Sequence, residues 1–164
     1  MEFSIKDLPF DEWKSAGSEN FELLYRPAPS AAVRPLAKIA SGGELSRVML
    51  AIKSLLHANE QPMTLVFDEI DAGIGGKTAH AIAERLAELA SVHQVIVITH
   101  LAQIAVLADH HFLVSKLSSD EDTLTTIEPL EGALRVREIA RMLSGTSDKE
   151  AIAHAEKLLH EAKR

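Results

Sequence analysis

The sequence of 164 residues contains no cysteine, and only 4% of its residues are aromatic. The absence of cysteine excludes disulfides, thiolate zinc sites and cysteine nucleophiles. No run of residues approaches the roughly 18 apolar positions that a membrane-spanning helix needs, and the N-terminus does not resemble a secretory signal. We therefore expect a cytoplasmic chain with no membrane partner.

Basic residues are also few, because 17 Lys and Arg stand against 24 Asp and Glu, which gives a net charge of −7. A surface of this sign repels phosphate backbones on average, so a broad nucleic-acid footprint is not expected on this chain. Arg135, Arg137 and Arg141 are interpreted as a solvated helix face. The apolar fraction of 46% comes mainly from aliphatic residues and favours helices packed on a buried sheet.

The pattern of apolar residues predicts an α/β fold with a mostly parallel sheet covered by helices. Continuous apolar runs alternate with segments of helical spacing, which is typical of buried parallel strands joined by helices. Near the N-terminus, two short runs predict a peripheral antiparallel pair, followed by a proline-rich loop over residues 26–40. Ser147 and Glu150 are spaced as a capping box for the last helix. The predicted strands span residues 3–6, 21–25, 63–67, 95–99, 111–115 and 124–127. The predicted helices span residues 43–57, 78–90, 101–108, 134–143 and 149–163.

Two adjacent carboxylates, Asp68 and Glu69, follow the buried strand at residues 63–67. Ligands of parallel sheets bind beyond the carboxyl ends of the strands, so this pair suits a nucleotide-hydrolysing site. Asp68 would hold Mg²⁺, mostly through water, and Glu69 would orient and deprotonate an attacking water. The alternative is a solvated acidic loop at the end of a strand.

The segment Ser41-Gly42-Gly43-Glu44 precedes the first long helix. Ser41 and Glu44 have the spacing of a capping box, but capping does not require the two glycines. Glycines at a helix N-terminus allow a ligand to approach the backbone amides, which favours a phosphate site. We expect both capping and phosphate binding here.

His100 follows the strand at residues 95–99, where it could reach a γ-phosphate near Asp68 and Glu69. A structural role for a single histidine is the alternative. The segment 75–78, Gly-Gly-Lys-Thr, resembles the end of a phosphate-binding P-loop. The position that the motif requires to be its first glycine is Asp71, so we expect no Walker A motif in this chain.

The order of these motifs resembles the C-terminal part of an ABC-type ATPase head. The segments 36–47, 67–76, 98–105 and 138–145 resemble the RecN family of SMC-like bacterial DNA repair proteins, and the resemblance extends over roughly residues 20–164. It implies that residues 36–164 form the C-terminal lobe of an ABC/SMC-type P-loop ATPase head without its Walker A strand. Residues 1–35 would be peripheral strands and a proline-rich loop that follow a coiled coil outside this sequence.

The same resemblance implies roles for single residues. Ser41, Gly42, Gly43 and Glu44 would form the signature motif, which reaches the ATP held by the opposite head of a homodimer. Asp68 as Mg²⁺ ligand, with Glu69 and His100 as catalytic residues, would act on the nucleotide of their own head. Asp71 would be a D-loop residue that bridges the two sites.

Activity is expected only when this chain is joined to an N-terminal half that carries Walker A. The complete protein would use ATP and Mg²⁺, bind DNA, serve DNA recombination and repair, and associate with the nucleoid. Two alternatives remain open: a fragment of an ABC transporter ATPase, and a non-catalytic interaction module. Transporter domains usually carry a helical lobe before the signature, and an inactive module has no need for Glu69 and His100.

Overall fold

The computed structural model describes residues 2–7, 9–15, 17–26, 29–38, 41–56, 61–118 and 123–162. His57 and Lys163, the predicted ends of two helices, lie outside these residues, as do positions 39 and 40 of the motif segment. In chain order the elements are β1 (Glu2–Asp7), β2 (Glu19–Tyr25), β3 (Arg34–Pro35), α1 (Gly42–Leu56), β4 (Thr64–Phe67), α2 (Gly76–Ala90), β5 (Gln94–Val97), α3 (Ala102–Ala105), β6 (His111–Ser118), β7 (Thr123–Leu130), α4 (Gly132–Ser144) and α5 (Lys149–Glu161).

The N-terminal strands form an antiparallel sheet in the order β1-β2-β3. The predicted antiparallel pair is β1 and β2, in a register that places Phe3 opposite Leu23. Strand β3 adds only two residues, with Pro35 opposite Leu24. Because proline has no backbone N–H to donate, it is suited to an edge strand such as β3.

The only parallel pair among the described residues is β4 with β5, in a register that places Leu65 opposite Val95. Helix α2 connects the two strands, because parallel neighbours need a crossover. One apolar core lies between this pair and the helices. Its buried members are Leu50, Phe67, Ile70, Ile82, Ala83, Leu86, Leu89 and Ile104.

The α/β class is confirmed, but the expected mostly parallel sheet is not formed. Strand β6 pairs with β7 in an antiparallel hairpin, and this hairpin shares no sheet with β4 and β5 within the described part of the chain. The physical reason is local: β7 follows β6 after a short connection, so antiparallel pairing closes a small loop.

Strands β4 and β5 are not fully buried, in contrast to the sequence-based prediction. Their inner side chains pack on the core, whereas Val66 is 62% and Ile96 is 45% exposed on the opposite face. Residue alternation along a strand places these two on one face of the pair. The hairpin also has exposed apolar residues, including Val114 and its cross-strand partner Ile127. Both sheets therefore present an apolar face that no described residue covers.

The C-terminal helices form a second core with α3, in which Ile139, Ala140 and Ala155 are buried. Arg135 of α4 donates hydrogen bonds to the backbone carbonyls of residues 105, 106, 108 and 109, at 2.5–3.5 Å. Arg135 therefore ties α4 to the end of α3 and is not a freely solvated arginine. Arg141 pairs with Glu138 at 2.6 Å.

The predicted capping box of α5 is not formed. Asp148 is the N-cap, and its side chain accepts a hydrogen bond from the amide of Ala151 at 2.9 Å. Ser147 Oγ instead donates to the carbonyl of Arg137. None of the helices in the described part of the chain combines the length and the apolar composition that a membrane span requires.

Candidate functional site

The two predicted carboxylates lie where β4 ends, and both are exposed. Glu69 has a φ of 55°, the only positive φ of a non-glycine residue in the described ranges. This left-handed conformation is unfavourable for a residue with a Cβ, and such conformations concentrate at functional sites. The turn at Glu69 sends the chain directly back toward the start of α1.

Helix α1 is attached to this turn by two of its side chains. Ser46 Oγ donates to the carbonyl of Asp68 at 2.8 Å. Arg47 Nη1 donates to the carbonyls of Ile70 and Ala72, at 3.1 and 3.0 Å. The segment after β4 and the predicted signature helix are therefore one structural unit. The sequence does not predict these contacts of Ser46 and Arg47, because polar residues in the first turns of a helix give no sign of a tertiary partner.

Gly42 and Gly43 lie directly against the Glu69 turn. A Cβ on Gly43 would stand 2.6 Å from the Glu69 backbone oxygen and 2.9 Å from the Ala72 Cβ. A Cβ on exposed Gly42 would stand 2.9 Å from Glu69 Oε2. The sequence predicts that both glycines allow a ligand to approach the backbone. In the structure Gly43 is buried, and its lack of a side chain allows the backbone of Glu69 to approach α1.

We expect Gly43→Ala to destabilise the chain by about 1–3 kcal/mol, because a rigid backbone oxygen occupies the space of the new methyl group. The melting temperature would fall by roughly 3–10 °C. Gly42→Ala is the matched control, since the flexible Glu69 side chain can move away and alanine favours helix. Circular dichroism melts of both variants provide the measurement. Equal melting temperatures would contradict the close approach at Gly43.

The Asp71 side chain, 4% exposed, lies between the Glu69 turn and the end of β5. Its Oδ2 atom accepts hydrogen bonds from Thr99 Oγ1 at 2.6 Å and from the His100 amide at 2.8 Å. The Nδ1 atom of His100 lies 2.8 Å from the same oxygen. Burial alone raises the pKa of Asp71, but the hydrogen bonds from Thr99 and His100, with the charge of His100, hold that pKa below its ordinary value. The carboxyl group is therefore ionised near neutral pH.

All three of these contacts are to Asp71 Oδ2 and lie within the same chain. The predicted role of Asp71 between two heads stays a prediction. The ring of His100 contacts Asp71 through Nδ1. The side chain is otherwise open to solvent, because it is 74% exposed. The structure brings His100 to the same edge as Asp68 and Glu69, which end the neighbouring strand.

The start of α1 is exposed at Ser41 and Gly42. Ser41 Oγ accepts from the Glu44 amide at 3.5 Å, a long hydrogen bond and therefore a weak cap. The unpaired amides of a helix N-terminus attract anions. The Ser41 hydroxyl has capacity for a further partner.

Asp68 presents one exposed carboxylate for a metal ion. In the described part of the chain, no three His, Cys, Asp or Glu residues are grouped so that they could hold a metal. Mg²⁺ keeps most of its water and takes one or two carboxylates together with phosphate oxygens. A single carboxylate at Asp68 fits that requirement.

Comparison with known proteins places the chain beside DNA repair proteins. It is 50% identical over 149 residues to the DNA repair protein RecN of Streptomyces coelicolor, a match of 90% of this chain and 26% of that protein. For RecN of Deinococcus radiodurans the identity is 46% over 159 residues, 97% of this chain and 28% of that protein. The chain therefore spans about a quarter of the length of these relatives. No family model matches the chain.

Among solved structures, the Smc head domain with a coiled coil and joint from Pyrococcus yayanosii has a similar fold. The TM-score is 0.54 at 23% identity, and the match covers 99% of this chain and 26% of that one.

Proposed function

We propose that this chain, which is homologous to the DNA repair protein RecN over most of its length, is the C-terminal part of an SMC-like ATPase head that acts in DNA double-strand break repair. Residues 36–164 would form the lobe of the head and residues 1–35 its periphery. One observation carries the proposal. The start of α1, the Asp68-Glu69 pair and the Asp71–His100 pair are joined by direct contacts at one end of β4 and β5.

In the proposed head, Asp68, Glu69 and His100 act on the ATP held by the same head. Bound Mg²⁺ would neutralise charge on the phosphates, and Asp68 is the residue that would hold it through water. Glu69 orients the attacking water and accepts its proton, and its exposed carboxylate beyond β4 suits that step. His100 directs Nε2 toward the terminal phosphate and the water that attacks it.

The start of α1 would serve the nucleotide of the opposite head. Ser41 and Gly42 are exposed there, so a phosphate can approach the hydroxyl and the amides of the first turn. Gly43 and Glu44 would support this site through the backbone, with Gly43 allowing α1 to lie against the Glu69 turn. Binding in trans makes ATP a bridge between two heads, so the proposed working form is a homodimer.

The proposed partner within the same protein is an N-terminal half that carries Walker A. Two observations support such a partner: the chain spans about a quarter of its relatives, and the β4–β5 and β6–β7 sheets both have exposed apolar faces. A strand inserted between β5 and β6 would join the two sheets and cover their unpaired edges. DNA contacts would lie mainly on that half or on a coiled coil, because this chain carries a net charge of −7.

The test compares the purified chain alone with the chain joined to its N-terminal half. Alone, it is expected to release no phosphate from ATP above background, because no Walker A loop positions the substrate. Joined, it is expected to hydrolyse ATP in the presence of Mg²⁺ and to melt about 5–10 °C higher, as binding of a partner to the folded state predicts. Glu69→Gln in the joined protein separates this activity from a contaminant. A joined protein without ATPase activity would contradict the proposal.

A further inference from the structure

We propose that Asp71 is a positioning residue for His100. It holds the imidazole by Nδ1–H, so that the unprotonated Nε2 can accept a hydrogen bond from the water that attacks the terminal phosphate of the nucleotide. The inference rests on the proposed function, because such a water has a role only in an ATPase head. It assigns Asp71 to the site of its own head.

The geometry that carries this proposal is the convergence of two hydrogen bonds and one ion-pair contact on a single oxygen. Thr99 Oγ1, the His100 amide and His100 Nδ1 all lie 2.6–2.8 Å from Asp71 Oδ2. An ionised carboxylate only accepts hydrogen bonds. The proton of a neutral His100 must therefore be on Nδ1, which leaves Nε2 as the unprotonated nitrogen.

The contact with His100 goes beyond what Asp71 needs for its own burial. Thr99 and the His100 amide already give the buried carboxylate two donors, which would suffice to tie the Glu69 turn to the end of β5. The imidazole nitrogen adds a third close contact, at 2.8 Å, and belongs to a side chain that is 74% exposed. Neighbouring side chains do not enclose this ring, so its orientation depends on the Asp71 contact.

Orientation of this kind affects rate more than binding. A histidine held by a carboxylate presents one nitrogen in one direction, whereas an unrestrained histidine samples both tautomers and several rotamers. ATP is held mainly by other groups in the proposed head. Loss of the restraint is therefore expected to lower kcat and to leave KM for ATP nearly unchanged.

The test uses the joined protein, in which this chain is combined with its N-terminal half, with two variants. Asp71→Ala removes the carboxylate and with it the acceptor for Nδ1–H, so that the imidazole is no longer restrained to one tautomer. Thr99→Val is the matched control, because it removes another donor to the same oxygen and leaves the His100 contact in place. Thermal unfolding of both variants reports any loss of folded protein.

Two readouts are compared: steady-state ATPase kinetics and the imidazole ¹⁵N signals of His100, assigned by their loss in His100→Asn. We expect the wild type to show the Nδ1–H tautomer. Asp71→Ala is expected to shift the signals toward a mixture of the two tautomers and to lower kcat about 10–100-fold, the range known for losing the partner that orients a metal-bound histidine. Thr99→Val is expected to keep the wild-type tautomer and to change kcat by less than about threefold.

The outcomes separate this inference from the proposed function. A wild-type protein that hydrolyses no ATP would contradict the proposed ATPase, while the ¹⁵N signals would still report whether Asp71 holds His100. An unchanged Nδ1–H tautomer in Asp71→Ala would overturn the inference. Equal losses of kcat in Asp71→Ala and Thr99→Val would overturn it as well, because Asp71 would then only hold the loop together.

Discussion

Replacement of Glu69 by glutamine in the joined protein is expected to stop ATP turnover while ATP binding persists. Glutamine keeps the shape of the side chain and can adopt the same backbone conformation, but its amide cannot take a proton from water. General-base catalysis contributes about 10²–10⁴-fold, and we expect a loss of kcat in that range. Phosphate release and equilibrium binding of labelled ATP are the two measurements.

The matched control is Glu84→Gln, which makes the same chemical change on the exposed side of α2. Glu84 pairs only with His80, one turn earlier, among the contacts of the described residues, so near wild-type turnover is expected. If Glu69→Gln retained full turnover, Glu69 would not be the base, and its positive φ would reflect only the turn that brings the chain back to α1.

Ser41→Arg is expected to abolish ATP-dependent pairing of heads. Ser41 is exposed at the start of α1, where the γ-phosphate of the opposite head would lie, and an arginine would fill that space. The experiment uses Glu69→Gln as background, because a head pair that cannot hydrolyse ATP persists long enough to be measured. Light scattering with and without ATP and Mg²⁺ should show a dimer for Glu69→Gln and a monomer after addition of Ser41→Arg.

Ser41→Ala is the control for loss of the cap. The Ser41–Glu44 hydrogen bond is long, at 3.5 Å, so its removal is expected to cost about 0.5–1 kcal/mol of stability. Ser41→Ala leaves the space free, and we expect pairing to be weakened but present. A dimer that survives Ser41→Arg would show that Ser41 caps α1 and does not face a second nucleotide.

The sequence predicted local structure well wherever a single segment carries its own signal. Apolar spacing located α1 and α2, apolar runs located β4 and β5, and the runs near the N-terminus located the β1–β2 pair. These predictions succeed because helix and strand periodicity depends on residues close in the chain. The sequence also placed the two carboxylates after β4 and the histidine after β5 at one edge of the sheet. This prediction succeeds because parallel strands end on the same side of a sheet.

Burial and sheet composition could not be predicted from the same signals. An apolar run indicates that a strand can be covered on both faces, but whether a covering segment exists depends on the rest of the structure. Val66 and Ile96 are exposed because no described residue packs on their face. Strand β6 joined β7 because the nearest partner in the chain was available for an antiparallel pair.

Residue periodicity, together with motifs such as Ser41-Gly42-Gly43-Glu44, is enough to predict which elements form and which polar residues stand at their ends. The contacts of those residues follow from the three-dimensional packing alone. Asp71 meets His100 across 29 positions, and Arg47 meets the carbonyls of residues 70 and 72 across 23 and 25. The physical reason is that such contacts depend on the left-handed turn at Glu69 and on the close approach at Gly43, and both are fixed by packing between segments far apart in the chain.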